Sequence, residues 1–326
     1  MKAVLCKELG GAEKLVVEDV PAPRPGPKDV LVDVKAAGVN FPDVLIIQGK
    51  YQFQPDLPFT PGGEGAGVVA EVGAEVDGIK PGDRVLFTHL TGAFAEQAVV
   101  PAGAVVPIPD AMPFDAAAGL TITYATSLHA LKQRADLKAG ETVLVLGAAG
   151  GVGLAAVELA KAMGATVIAA TSSEEKGAVA RAAGADKVIT YSTEDLKKTA
   201  KDLTGGRGVD VVYDPVGSDY TEQALRAMAP GGRLLVIGFA AGDIPKVPAN
   251  LCLLKQCSLV GVFWGAWAAA NPGGQADNMR ILFDHYAAGR IKPHIDGHYP
   301  LDRVADAYER LTGRHARGKV ILTPQG

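Results

Sequence analysis

The sequence has few of the features that mark secreted, membrane-spanning or nucleic-acid-binding proteins. It contains three cysteines, whose odd number and wide spacing at Cys6, Cys252 and Cys257 indicate reduced thiols and a cytoplasmic location. No run of about 18 uncharged apolar residues is present, and the first residues do not follow a signal-peptide pattern. The net charge of −4 argues against general nucleic-acid binding. We therefore expect neither a membrane nor a nucleic-acid partner.

The composition and the length are those of a globular protein with two domains. A length of 326 residues suggests two domains. Residues 1 to about 120 carry short β-patterned runs separated by turn signals, and residues 114–132 predict a helix that leads into the centre of the chain. The segment from Asn40 to Pro61 has little periodicity, and long irregular loops of this kind are often functional.

The centre of the chain is organised around residues 141–176. Val143–Leu146 and Thr166–Ala170 are apolar runs typical of buried parallel strands, and Leu154–Met163 predicts the helix between them. The turn before this helix matches Gly-x-Gly-x-x-Gly at Ala148, Gly150 and Gly153, with alanine in place of the first glycine. A helix that begins at such a turn binds a pyrophosphate through its free N–H groups and its dipole. The residues predicted to do so are Gly150, Gly151, Val152 and Gly153. The alternative is a tight structural turn.

Strand and helix patterns continue to alternate after this unit. The further predicted strands are Lys187–Tyr191, Val209–Asp214, Arg233–Phe239 and Ser258–Trp264, and the helices between them are Glu174–Ala183, Glu194–Leu203 and Tyr220–Met228. This alternation predicts a doubly wound α/β fold with a parallel sheet. From about Gly265 the alternation stops, and because six strands already complete a sheet, we expect the tail to return to the first domain.

Several motifs in order resemble one known family. They are Ala37-Gly38-Val39-Asn40-Phe41-Pro42-Asp43, Pro61-Gly62-Gly63-Glu64-Gly65-Ala66-Gly67, Gly92-Ala93-Phe94-Ala95-Glu96, Thr204-Gly205-Gly206-Arg207-Gly208 and Val260-Gly261-Val262-Phe263-Trp264-Gly265. The chain resembles the zinc-free, zeta-crystallin-like quinone oxidoreductases of the medium-chain dehydrogenase/reductase superfamily. The resemblance implies a GroES-like substrate domain, 1–122 and 265–326, split around a Rossmann domain, 123–264. It also implies a cleft between the domains and a homodimer formed by sheet extension.

The resemblance makes zinc a specific test. Zinc enzymes of the superfamily carry a thiol, an imidazole and a second thiol at the positions that are Asn40, Gly63 and Ile122 here. None of these residues can supply a thiolate, imidazole or carboxylate ligand. His294 and His298 have the one histidine spacing that approaches a ligand pair, but a plain surface interpretation is favoured. We therefore predict no metal site.

The predicted cofactor is NADPH. An enzyme that uses NAD places an acidic residue at the end of the second strand, where this chain has Thr171. The resemblance implies that Lys176 and Tyr191 contact the 2′-phosphate, and the hydroxyl of Ser172 suits the same group. The alternative for Ser172 and Ser173 is helix N-capping.

Four further site positions are implied by the resemblance alone. Asn40 and Tyr51 are expected near nicotinamide and substrate, as the catalytic pair that polarises the substrate oxygen by hydrogen bonds. Their alternatives are a turn cap for Asn40 and interface packing for Tyr51. Thr126 and the backbone around Phe263 are expected near the nicotinamide carboxamide. The last two predicted cofactor contacts are Phe239, which follows the fifth strand, and Lys319, which could approach the pyrophosphate. Phe239 could equally well only close the sheet, and a lysine that opens a final strand is usually a solvated strand end.

These patterns together predict a zinc-independent oxidoreductase that transfers hydride from NADPH to a quinone or a related α,β-unsaturated carbonyl. The partner expected is a small-molecule substrate, and the assembly expected is a homodimer. One alternative is an NADPH-dependent enoyl-thioester reductase on the same fold. Another, from a different class, is a non-catalytic nucleotide-binding or crystallin-like protein.

Overall fold

The structure is a computed structural model that describes residues 1–325. Two compact units form the chain. The first comprises Met1–Ile122 and the segment that begins at Pro293, and the second comprises Thr123–Lys292. The strands are β1 Lys2–Leu5, β2 Val16–Asp19, β3 Asp29–Val39, β4 Glu64–Val72, β5 Arg84–Thr88, β6 Gln97–Pro101, β7 Val105–Pro107, β8 Thr142–Leu146, β9 Thr166–Thr171, β10 Lys187–Thr190, β11 Val209–Asp214, β12 Met228–Val236, β13 Ser258–Gly261, β14 Ile295–Pro300 and β15 Lys319–Thr323.

The helices lie mainly in the second unit. They are α1 Phe41–Ile47, α2 Phe114–Ala118, α3 Thr126–Leu128, α4 Gly151–Ala162, α5 Glu174–Ala182, α6 Leu196–Asp202, α7 Ser218–Ala227, α8 Ala249–Lys255, α9 Trp264–Ala270, α10 Pro272–Ala287 and α11 Val304–Thr312. Short 3₁₀ turns occupy Ala12–Lys14, Ala102–Ala104 and Leu301–Arg303, and π turns flank α3 at Thr121–Ala125 and His129–Arg134. Among the described residues, no helix is both long and apolar enough to cross a bilayer.

The first unit is built on a seven-stranded sheet in the order β14-β15-β3-β4-β5-β7, with β6 also paired to β3. The eleven-residue strand β3 is central to it, and its Val30, Val32 and Val34 are fully buried at every second position, as a strand with one core face requires. The last strand, β15, runs antiparallel to β3, with Val320 opposite Val39. The C-terminal segment therefore completes the N-terminal sheet.

The second unit is the predicted doubly wound fold. Its six strands are all parallel and lie in the order β10-β9-β8-β11-β12-β13. Numbered from β8, this order is 3-2-1-4-5-6, that of a dinucleotide-binding Rossmann domain. The central strands are almost continuously apolar, since helices cover both faces of a parallel sheet, and Val143, Leu144 and Val145 of β8 are completely buried. The fold class predicted from sequence is thus confirmed.

Some helices and strands begin or end at other residues than the sequence periodicity predicts. The strand expected over Ser258–Trp264 ends at Gly261, and Trp264 begins α9. The helix expected over 114–132 is interrupted, because Gly119 caps α2. The segment after Asn40 contains α1, in which Pro42 occupies the first turn, where proline is well tolerated.

Residues 265–292 group with the second unit, whereas the sequence-based prediction places them in the substrate domain. Two contacts account for this. The buried Asn278 of α10 accepts a hydrogen bond from Gln133 Nε2 at 2.9 Å. The ring of Trp267 in α9 stacks on His129, with 4.3 Å between ring centroids. Both partners lie far away in sequence, so no local pattern indicated them.

Candidate active site

The glycine turn of the second unit joins β8 to α4. Gly147 takes the left-handed conformation, with φ of +57°, and Gly150 N–H donates to Gly147 O at 3.0 Å. Helix α4 then begins at Gly151, with Gly150 as its N-cap and no acidic residue in its first turn. The first N–H groups of a helix have no partner within it. The N–H groups of Gly151, Val152 and Gly153, with the helix dipole behind them, therefore fit a pyrophosphate.

The glycine spacing of the turn reflects packing as well as binding. A Cβ atom at Gly153 would lie 2.3 Å from Gly147 O and 2.8 Å from the Cα of Ala148, so only glycine fits. A Cβ at Gly150 would meet nothing closer than Gly147 O at 3.5 Å. Ala148 replaces the usual first glycine without strain, because Gly147 supplies the left-handed residue and Ala148 N–H donates to Ala170 O at 3.1 Å.

Ser172 and Ser173, which follow β9, have different hydrogen-bond partners. Ser173 caps α5, since its Oγ accepts from Lys176 N–H at 3.3 Å. Ser172 does not cap the helix but accepts from Lys176 Nζ at 3.2 Å. The buried Thr171, at the position that is acidic in NAD enzymes, donates its hydroxyl to Ser173 O at 3.0 Å. The capping alternative therefore holds for Ser173, and a hydroxyl–ammonium pair remains at Ser172 and Lys176.

Helix α5 begins with an acidic residue, Glu174, but the charge of Glu174 is paired with Arg181 and therefore does not act alone against an anion near Lys176. The Glu174 carboxylate bonds Arg181 Nη1 at 2.5 Å, and this contact lowers the pKa of Glu174. Tyr191 follows β10, and its N–H donates to Thr171 O at 3.0 Å while its ring packs on Tyr220, with 4.6 Å between centroids. The structure thus brings Tyr191 to the same strand end as Ser172 and Lys176.

The other predicted cofactor residues of the second unit belong to or follow other elements. Thr126 is half-buried in α3, beside Ser127, whose Oγ donates to Val152 O at 3.2 Å and shares a 2.8 Å hydrogen bond with Tyr213. Phe239 follows β12 and packs against Gly217, where an added Cβ would lie 3.0 Å from the phenyl ring. Phe263 is 58% exposed and precedes α9. Their roles stay predictions.

In the first unit, Asn40 is the centre of a buried polar cluster. We define the Asn40 network as Asn40, Asp43, Glu64 and Lys319, all at most 6% exposed. The Asn40 Nδ2 group donates to Glu64 Oε1 at 2.9 Å and to Gly38 O at 3.2 Å. Its Oδ1 accepts from Lys319 Nζ at 2.5 Å. Both ends of the Asn40 amide are therefore engaged inside the network.

The ion pair of the network is buried and fully hydrogen-bonded. Lys319 Nζ lies 2.5 Å from Glu64 Oε1 and also donates to Val39 O at 3.2 Å. The other carboxylate oxygen, Glu64 Oε2, accepts from Ile122 N–H at 2.7 Å. A buried pair persists only when such contacts satisfy the remaining donors and acceptors. Lys319 is therefore buried and not a solvated residue at a strand end. Its contact with a pyrophosphate stays a prediction.

Asp43 is the titratable member of the network. Its Oδ2 accepts from Asn40 N–H at 2.7 Å, yet burial raises its pKa to about 7, against the lowering effects of this bond and of Lys319. Tyr51 is half-buried, and burial together with the negative charge of Asp43 raises its pKa. Tyr51 therefore lies within the field of the network. Tyr308, on α11, has a buried hydroxyl without a hydrogen-bond partner among the described residues.

Asp43 and Glu64 belong to two of the motifs that carry the family resemblance, but they were not among the predicted site residues. The available signal was the position of each acid. Asp43 stands in an apolar run, Glu64 stands among glycines at the start of β4, and both carboxylates are buried. Buried acids without partners are costly, so both predicted a partner elsewhere in the chain.

The positions expected to ligate zinc do not fit that metal. The amide of Asn40 is already hydrogen-bonded at both ends, and Gly63 has no side chain. Ile122 is apolar, and its Cδ1 atom would lie 3.3 Å from a Cβ atom added at Gly63. His298 instead contacts the Asp115 carboxylate at 3.1 Å. Within residues 1–325, no group of three His, Cys, Asp or Glu side chains is arranged to hold a metal ion.

Two family models match the chain, one in each unit. The alcohol dehydrogenase GroES-like domain matches residues 26–110, and the zinc-binding dehydrogenase domain matches residues 151–274. A GroES-like domain with a Rossmann domain defines the class: an oxidoreductase of the medium-chain dehydrogenase/reductase type.

The relatives narrow the class. Quinone oxidoreductase-like protein 2 homolog from Nematostella vectensis is 41% identical over 98% of this chain and 88% of its own length. The structure of Escherichia coli quinone oxidoreductase complexed with NADPH is 32% identical with a TM-score of 0.94, over 99% of this chain and 100% of that one. A solved NAD-dependent alcohol dehydrogenase is also 32% identical, with a TM-score of 0.90, over 99% of both chains. The chain belongs to the quinone oxidoreductase family.

Proposed function

We propose that the protein is a zinc-independent reductase that uses NADPH to reduce quinones or related α,β-unsaturated carbonyls. The observation that carries the proposal is the contact of Lys176 Nζ with Ser172 Oγ at 3.2 Å, beside Thr171 rather than an acid. A cation and a hydroxyl at this strand end favour a 2′-phosphate, whereas an acid there would bind the ribose hydroxyls of NAD. Escherichia coli quinone oxidoreductase, which binds NADPH, is a relative over the whole length.

The residues present fit this cofactor in two places. The N–H groups of Gly151, Val152 and Gly153 would hold the pyrophosphate, and Ser172, Lys176 and Tyr191 would hold the 2′-phosphate. When bound, NADPH supplies the hydride. The protein supplies binding and orientation through fixed backbone donors, which need no rearrangement because the turn is held by its own hydrogen bonds.

The Asn40 network suggests different tasks for the two proposed catalytic residues. Both donors of the Asn40 amide are used by Glu64 and Gly38, so we assign Asn40 a positioning role. Tyr51 is the group that would donate a hydrogen bond to the substrate oxygen, since its pKa is raised and its hydroxyl keeps its proton. A quinone suits this site, because an electron-poor ring accepts hydride with little help from a strong acid.

A substrate panel with NADPH and NADH tests the proposal. Purified protein is assayed by loss of NADPH absorbance with simple quinones, enones and enoyl-CoA thioesters. We expect turnover with electron-poor quinones or enones, and higher kcat/KM with NADPH than with NADH. A strong preference for enoyl-CoA would favour an enoyl-thioester reductase. NADPH binding without turnover on any substrate would indicate a non-catalytic nucleotide-binding protein.

We also propose a cytoplasmic homodimer that forms along β13. This strand pairs with β12 on one side, and within the described residues no strand pairs with its other edge. Exposed apolar side chains lie in β13 and in the segments on either side of it in sequence, namely Leu253 at 76%, Leu254 at 70%, Phe263 at 58% and Leu259 at 41%. An uncovered apolar edge strand favours pairing with a second copy.

Light scattering should give the mass of a dimer, and Leu259→Lys should shift the measured mass toward that of the monomer. A monomeric wild type at micromolar concentration would contradict the proposal.

A further inference from the structure

The C-terminal end of α8 brings two cysteines together. Gln256 has φ of +50° in the left-handed region, Gln256 N–H donates to Leu253 O at 3.3 Å, and Cys257 N–H donates to Cys252 O at 3.1 Å. These two bonds define a Schellman motif, in which the side chains of the residues at the positions of Cys252 and Cys257 meet. Cys257 belongs to the buried core cluster of the second unit, Cys252 packs against that cluster, and the proximity of Cys252 contributes to raising the pKa of Cys257. The two sulfurs are therefore neighbours because of the turn and not because of sequence spacing alone.

The surroundings of the pair are basic. Lys255 lies between the two cysteines in sequence and donates to Met228 O at 2.7 Å. Burial and the nearby positive charges of Lys201, Lys197 and Arg226 lower the pKa of Lys255. Positive charge favours the reactive thiolate form of cysteine. Burial opposes this at Cys257, which is 9% exposed and has a raised pKa, whereas Cys252 is the more exposed of the two.

We propose that Cys252 and Cys257 form a redox modification site that a hydroperoxide converts into an intrachain disulfide. The Cys252 thiolate attacks the peroxide, the O–O bond breaks, and the peroxide leaves as an alcohol or water, with Cys252 as a sulfenic acid. The Cys257 thiolate then attacks the Cys252 sulfur, the S–O bond breaks, and water leaves. The dithiol loses two electrons and the hydroperoxide gains them. A dithiol reductant reverses the change.

The disulfide would fix the left-handed turn at Gln256, and β13 begins one residue after Cys257. The modification therefore acts on the start of the edge strand. It does not depend on the proposed enzymatic function, because the motif and the packing of the two cysteines are independent of any cofactor or substrate.

The chain contains its own control thiol. Cys6 lies in the first unit, 1% exposed, where its Sγ donates to Glu8 O at 3.2 Å and where burial raises its pKa. No second cysteine is near it in sequence. We expect Cys6 to stay reduced at hydroperoxide concentrations that oxidise the pair.

Peptide mapping tests the proposal directly. The whole protein is treated with hydrogen peroxide in increasing amounts, alkylated, and digested with trypsin, which cleaves after Lys255 and so separates the two cysteines. We expect the alkylated thiols to fall from three to one, with the peptides that carry Cys252 and Cys257 joined until a reductant is added. Cys6→Ser should leave this crosslink unchanged.

Two variants distinguish the steps. Cys257→Ser should leave Cys252 as a sulfenic acid that dimedone traps, and Cys252→Ser should leave Cys257 available to alkylation. Loss of the Cys6 thiol before the pair would overturn the proposal. So would crosslinks between chains on a non-reducing gel, or irreversible oxidation of Cys252 with no linked peptides.

Discussion

The Asn40 network and the strand end around Lys176 use the same chemistry in opposite surroundings. Each joins a lysine to hydrogen-bond acceptors, but Lys319 is 4% exposed, whereas Lys176 is half-exposed at the end of β9. A buried charge must have all its partners in place, since water does not screen it. A charge that water reaches is screened and contributes less. We therefore expect stability and pH dependence to follow the first region, and cofactor choice and salt dependence to follow the second.

The largest effect is expected on breaking the buried ion pair. Lys319→Met leaves the Glu64 carboxylate buried without its cation and should lower the free energy of unfolding by about 3–5 kcal/mol. Lys161→Met, which breaks the half-exposed pair with Asp186, is the matched control and should cost about 0–1 kcal/mol. Urea denaturation of both variants gives the comparison. Equal losses would show that burial does not distinguish the two lysines.

The second prediction concerns the pH dependence that Asp43 confers. Its pKa is raised from 3.8 in the unfolded chain to about 7 in the fold, so the folded state holds the proton more tightly. The contribution to stability is therefore greatest below about pH 4, is lost as the pH rises to about 7, and amounts to at most about 4 kcal/mol.

Asp43→Asn should remove this slope while the amide oxygen still accepts from Asn40 N–H. The measurement is the urea midpoint of wild type and variant between pH 4 and 8, with the exposed Asp110→Asn as the control. Parallel pH profiles for wild type and Asp43→Asn would show that Asp43 titrates normally.

Lys176→Ala should weaken the preference of the enzyme for NADPH over NADH. A hydrogen bond to a charged group contributes about 1.5–3 kcal/mol, and a screened surface pair only about 1. We expect kcat/KM for NADPH to fall by roughly fivefold to a hundredfold, with little change for NADH and a smaller loss at high salt. Lys198→Ala, an exposed lysine of the same unit that pairs with Asp202, is the control. Equal losses with both cofactors would mean that Lys176 supports the fold instead.

Tyr51→Phe tests the proposed link between the buried network and the substrate. Loss of one polarising hydroxyl should lower kcat/KM by roughly tenfold or more, with the unfolding midpoint nearly unchanged. Tyr299→Phe, another half-buried tyrosine packed on the same core, serves as the control. Unchanged kinetics across quinones and enones would show that Tyr51 only packs.

The smallest expected effect is that of zinc removal. Asn40, Gly63 and Ile122 supply no thiolate or imidazole, so chelation by EDTA should leave turnover unchanged, and elemental analysis should find no stoichiometric zinc. One tightly held zinc per chain that is needed for turnover would refute zinc independence.

The sequence by itself determined the features that depend on neighbouring residues. The glycine turn, each apolar strand of the Rossmann sheet and the group Thr171, Ser172 and Lys176 are each a short stretch of sequence. Spacing and periodicity were therefore sufficient to predict them. The same local reasoning could not decide which serine caps α5. That choice depends on the backbone direction at the end of β9, where Ser173 caps the helix and Ser172 faces Lys176.

Only the tertiary structure decided the Asn40 network and the grouping of residues 265–292. Lys319 and Asn40 are 279 positions apart, and β15 brings them together by pairing with β3. Asn278 and Gln133 are 145 positions apart, and their hydrogen bond holds α10 to the second unit. A composition or a motif reports what each side chain can do, but not which distant partner satisfies it. For buried polar groups that partner decides the structure, because an unsatisfied charge or amide in a dry interior costs too much to persist.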